Sequence, residues 1–130
     1  MVTRESELLR VLNELAVGLP TSHWIALVDD DGLLMACVPE KPPVDAERIA
    51  AMAAAAMVTS RRVLQETDGG QLRFTTIGGA NRQVLIVLVD SKRFLAIGLE
   101  PDKPSTSTFG VLVRWVPEIL GIVRKRSMQD

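Results

Sequence analysis

The chain predicts an α+β fold: one antiparallel sheet with helices on both faces, in the order helix, strand, strand, helix, strand, strand, strand, helix. Three observations predict it. Val84–Val89 has no polar alternation, and Trp24–Val28 and Phe94–Leu99 have almost none. Strands that are apolar on both sides need cover on both sides. Gln71–Ile77 does alternate, as expected of an edge strand. Finally, Ile49–Ser60 carries no charged residue within a stretch rich in the helix formers Ala and Met. A surface helix normally shows water a polar stripe, so this one is expected to be buried on two sides.

The elements follow in order. Leu8, Leu9, Leu12, Leu15 and Ala16 recur at helical spacing, predicting a first helix from Thr3 to Val17 that Gly18 and Pro20 close. Trp24–Val28 meets Leu33–Val38 across Asp29-Asp30-Asp31-Gly32, a hairpin turn. Pro39, Pro42 and Pro43 end that hairpin, and Asp45 is placed to cap the alanine-rich helix, which runs to Gln65. Its inward arc is expected to hold Ile49, Met52, Ala53, Ala56, Met57, Ser60, Val63 and Leu64. The opposite arc holds Ala51, Ala54, Ala55 and Val58, with Glu47, Arg61 and Arg62 near its ends. Alanine lets backbones approach closely, and a second copy of the chain is the plainest source of a partner surface. Beyond Asp68-Gly69-Gly70, a meander of Gln71–Ile77, Gln83–Val89 and Phe94–Leu99 is expected. A last helix starts near Ser105–Thr108, with Pro117 inside its pattern, where it should kink the helix or mark a restart.

With 130 residues, the chain is read as one domain spanning 1–130. Fifteen basic and sixteen acidic residues leave a net charge of −1, which offers no electrostatic case for nucleic acid. The uncharged run is well short of the ~20 residues a bilayer requires, so no membrane insertion is expected. The first residues are charged and lack a signal-peptide core, and a lone cysteine suits a reducing cytoplasm.

No catalytic constellation emerges, and neither a metal nor an organic cofactor is expected. Asp29, Asp30 and Asp31 are consecutive, whereas a calcium loop needs alternating ligands and a closing Glu at position 12. Glu40 falls at that position, but strand residues intervene, so a solvated turn is the better reading. Gly78-Gly79 lacks the Gly-Lys-Ser/Thr ending of a phosphate loop. His23 and Cys37 lie on paired strands and could form a thiol nucleophile with its base, although Cys37 has apolar neighbours and no orienting partner. Arg61 and Arg62 admit a sharper possibility, because an arginine supplied in trans can stabilise the charge that develops during GTP hydrolysis.

Taken in order, these residues resemble a Roadblock/LC7 domain. The similarity runs from Gly18-Leu19-Pro20 through Leu99-Glu100. It is carried by Ala26–Leu34 with its triple-aspartate turn, the alanine-rich helix, Val63–Gly70, and Val84–Val89 followed by Phe94–Leu99. The chain is most similar to the prokaryotic MglB-like members. The resemblance implies a five-stranded antiparallel sheet with the first hairpin and last strand central. Two helices would lie on one face and the second helix on the other. It further implies a homodimer joined through the second helix and the Gln71–Ile77 strand, with Ala50, Ala51, Ala54, Met57, Val58, Leu72, Phe74 and Thr76 at the interface. Family members are non-enzymatic partners of Ras-like small GTPases, which would place Ala51, Ala54, Val58, Arg61 and Arg62 on the GTPase-binding surface.

The leading functional expectation is therefore a homodimeric regulator or scaffold for a small GTPase. A ligand-sensing module is the alternative, since profilin-like and longin-like sheets share the arrangement of helices around an antiparallel sheet. That reading needs a polar group buried in a pocket, and the sequence names none.

Overall fold

The computed structural model describes residues 3–102 and 104–129. Helix α1 spans Arg4–Gly18, and strands β1 and β2 span Ser22–Asp29 and Leu34–Val38. Helix α2 spans Ala46–Glu66. Strands β3, β4 and β5 cover Phe74–Gly78, Gln83–Asp90 and Arg93–Leu99, and a short 3-10 turn at Ser105–Thr108 leads into helix α3, Phe109–Gln129.

All five strands form one antiparallel sheet in the order β2-β1-β5-β4-β3. Strand β5 is central and β1 lies beside it, as the resemblance implied. Strand β2 is at a margin instead. The first hairpin is therefore not central as a unit, because β5 occupies the other side of β1.

The two-sided apolar strands are covered as their sequences require. Leu8, Val11, Leu12 and Leu15 of α1 and Leu112, Ile119 and Val123 of α3 pack on Ile25, Leu27, Leu85, Leu95 and Ile97. On the opposite face Ala50, Ala53 and Met57 of α2 meet Trp24, Ala26, Val28, Ile86, Phe94 and Ala96. Each large side chain removed from water in this way contributes about 1.5–3 kcal/mol before chain entropy is counted.

Local signals fix the helix ends. Thr3 and Ser6 form a reciprocal capping box at the start of α1. Asp45 accepts a hydrogen bond from the Arg48 amide at 3.2 Å to open α2. Thr67 then closes α2, with its hydroxyl donating to the Val63 carbonyl at 2.7 Å, and Asp68 turns the chain away at φ 55°. Helix α3 neither stops nor restarts at Pro117. Pro117 is exposed, so its ring and the carbonyl it leaves unbonded at Val113 face away from the core.

Candidate interaction surface

The sheet has two margins, and they differ. At β2 the register slips between Leu27 and Val28, so that Met35 is an extra residue, and prolines 39, 42 and 43 follow directly. A bulge of this kind bends a strand and blunts its edge. Strand β3 has no such defence. It pairs with β4 in unbroken register from Phe74↔Val87 to Gly78↔Gln83, and its outer side has no strand neighbour among the described residues. It is the most exposed strand of the sheet, with Phe74 at 38% and Ile77 at 52%.

Helix α2 crosses the sheet and reaches this open margin. The Thr75 hydroxyl donates to Ser60 Oγ at 2.7 Å, tying the helix to the edge strand. The outward face of α2 carries Met52, Val58 and Val63 at 58%, 54% and 54% exposure, together with exposed Ala51 and Ala55. Met52 and Val63 were expected to face inward. The helix is turned by roughly 50° from the predicted orientation, which buries Ala50 and half-buries Ala54. The cause lies at Gly32 (φ 83°) in the first hairpin turn: a Cβ there would be 3.3 Å from Ala51 Cα and 3.5 Å from Ala54 Cβ. The bare glycine lets α2 press onto the turn by its alanine side.

Of the residues expected at an interface, Ala51, Val58, Phe74 and Thr76 are exposed and Ala54 is half-buried. Ala50, Met57 and Leu72 are not available to a partner. They lie in the core beneath α2, at 0%, 1% and 9% exposure. Leu72 precedes the strand, which begins at Phe74 and not at Gln71, and this frees Leu72 to fold under the helix. Arg62 is exposed, whereas Arg61 is half-buried and lines a recess of about 640 Å³ with Gln65, Gln71 and Ser91.

The residues considered for chemistry have other occupations. Asp29 Oδ1 accepts the amides of Asp31 and Leu33 at 2.9 and 3.0 Å, so this carboxylate builds the turn. Cys37 pairs with Ala26 in the sheet, and burial raises its thiol pKa, which opposes a reactive thiolate. His23 is directed elsewhere. Its Nε2 lies 2.9 Å from Glu100 Oε1, in a close polar contact that lacks hydrogen-bond alignment. Cys37 and His23 are therefore not assembled as nucleophile and base. No helix among the described residues is long and apolar enough to cross a membrane.

This architecture is shared with solved structures. A Roadblock/LC7 domain from Streptomyces avermitilis superposes with a TM-score of 0.79 at 17% identity, over 89% of this chain and 97% of its own. Myxococcus xanthus MglB gives 0.80 at 15% identity, over 96% and 94% of the two chains. An MglB with a tetrameric arrangement gives 0.78 at 14% identity, over 96% and 93%. A comparison with curated proteins gives no match. At these identities the likeness establishes the fold alone. Sequence establishes the family, because the Roadblock/LC7 domain family model matches residues 12–98, from the middle of α1 to the end of the central strand. By that match and by its sheet order, the chain belongs to the Roadblock/LC7 domain family.

Proposed function

We propose that this protein is a non-enzymatic homodimeric regulator or scaffold for a Ras-like small GTPase, working in the cytoplasm. One observation carries the reading: the only undefended sheet margin among the described residues, β3, is bonded to a helix whose outward face is apolar. Two copies related by a two-fold axis would join β3 to β3 and α2 to α2. This removes an exposed edge that otherwise invites uncontrolled pairing. An isologous contact of this type needs on the order of 1,600 Å² in total to be stable.

The paired α2 helices would then form the platform for the GTPase. Ala51, Ala54 and Val58 supply close-approach surface, and the exposed Arg62 can reach a partner more readily than the half-buried Arg61. The family's association with small GTPases, and the fold likeness to MglB, support this assignment of partner. Activation of hydrolysis is one mode of action and positioning of the GTPase is the other. Arg62 is the candidate for stabilising transition-state charge if hydrolysis is accelerated.

The test mixes the purified protein with candidate small GTPases, each loaded with GDP or a GTP analogue. Complex mass and hydrolysis rate are measured together. The expected result is a nucleotide-dependent complex containing two copies of this chain. A monomer at micromolar concentration, or no complex with any GTPase in either state, overturns the reading.

A further inference from the structure

Gly110 and Gly121 on α3 face open space: a Cβ placed on either meets no atom of the described residues within 4 Å. Glycine within a helix is unfavourable relative to alanine, and no contact among the described residues requires it at these positions. Pro117, a poor residue for a helix interior, lies between them on the same exposed side. Beside this bare strip runs a groove of about 330 Å³ between α3 and the edge strand β3. Its walls are apolar: Phe74 and Phe109 meet edge to face at 4.9 Å, and Leu112, Val113 and Val116 complete them. Val113 is 75% exposed. This groove lies on the α1/α3 face of the sheet, opposite α2.

Among the described residues, the charge at the groove is basic. Arg73 lines it on the strand side, and the exposed Arg124 follows on α3, about 20° around the helix from Val113, whereas Lys125 is about 120° around and points away. The acidic residue of α3, Glu118, is about 140° around the helix from Val113 and so points away from the groove.

We propose that this groove docks an amphipathic helix with acidic flanks from a partner protein, at a site separate from the α2 platform. The absent side chains at 110 and 121 allow a second helix to approach closely. The groove accepts apolar anchors spaced at i, i+3 or i+4, and i+7. Arg73 and Arg124 select acidic flanks and set the orientation by charge. A recess with its apolar residues sunk between a helix and a strand suits a convex helix better than a flat bilayer. The scaffold would then hold two partners at once, one on each face of the sheet.

The test uses a fluorescein-labelled synthetic helix with Leu and Phe along one stripe and Glu on both flanks, and a twin carrying Lys in place of Glu. Anisotropy titrations against the intact protein are expected to show the Glu peptide binding and the Lys peptide at least ~10-fold weaker, with added salt narrowing the difference. Val113→Glu and Arg73→Glu should each weaken the Glu peptide by ~10-fold or more, while Arg62→Glu on the opposite face leaves it unchanged. Gly110→Ala with Gly121→Ala provides a readout in two directions: the unfolding midpoint rises and peptide affinity falls several-fold. Equal binding of both peptides, no binding of either, or no effect of Val113→Glu overturns the proposal. So does a fall in oligomeric mass with Val113→Glu, which would assign the groove to a second copy. Val113-dependent cosedimentation with anionic phosphatidylserine vesicles, which would assign it to a membrane, also overturns it. Loss of GTPase binding in Arg62→Glu with peptide binding intact separates this site from the one proposed for the GTPase.

Discussion

Trp24 and Gly98 stand opposite each other on β1 and β5, and the Trp24 indole occupies the volume that any side chain at position 98 would need. The pair lies under α2, where Trp24 is 6% exposed. The glycine thus makes room for the largest side chain of that core. Gly98→Ala is expected to destabilise the protein by about 1–3 kcal/mol through overpacking. Trp24→Leu in the same chain should restore part of the loss. Denaturant midpoints of the single and double variants check this, and purely additive effects would count against the coupling.

Val58→Glu is the cleanest probe of the α2 surface. Ala54 is a less suitable position, because it touches the Gly32 turn and a charge there would disturb the fold as well as any interface. Val58→Glu should leave the unfolding midpoint of the protomer within about 0.5 kcal/mol. It should also shift the light-scattering mass from two subunits to one. An unchanged dimer that still binds a GTPase would remove Val58 from both surfaces.

The Ser60–Thr75 hydrogen bond is the polar tie between α2 and the edge strand. Thr75→Val keeps the shape and β propensity but loses the donor, at a cost of about 1 kcal/mol. The loss should be local. Amide exchange in Phe74–Gly78 is expected to speed up relative to β5, and a uniform change across the sheet would contradict the assignment.

Asp29 is a turn residue whose carboxylate accepts two amides. Asp29→Asn retains an acceptor oxygen and should stay close to the parent stability. Asp29→Ala should lose about 1–2 kcal/mol. Thermal melts of the two variants distinguish a hydrogen-bonding role from a charge role, since loss of charge is common to both.

Cys37 titrates above its ordinary range because burial disfavours the thiolate. At a given pH below that raised value, the folded protein holds less thiolate than an unfolded chain does. Iodoacetamide labelling near pH 8 should therefore be slower in the folded state than in urea, with the two rates converging as pH rises. Equal rates at pH 8 would overturn the argument.

Much of this fold could be read from the sequence because its strands are apolar on two sides. Val84–Val89 and Phe94–Leu99 demanded cover on both faces, and α1, α2 and α3 supply it. The orientation of α2 was harder to read. Alanine occurs on every side of that helix, so hydrophobicity alone distinguishes its faces weakly. Contact with Gly32, remote in sequence, decides that Ala50 goes in and Met52 goes out. Strand order carries no local signal either, which is why β2 fell at a margin unannounced. Leu72 departs from the expected strand for a related reason: period-two alternation continues before Phe74, but the backbone there has already left the ladder. Pro117 suggested a kink or a restart, and the helix does not restart there, because on the solvent side of a helix a missing amide is tolerated.

One face of the sheet is closed by the first and last helices together, so residues near both ends of the chain complete the same core. During translation α1 must wait for α3. Until α3 has emerged from the ribosome, Leu85, Leu95 and Ile97 lack part of their cover and can adhere to other nascent chains. Premature termination anywhere before Phe109 should therefore yield aggregates and not a smaller folded product.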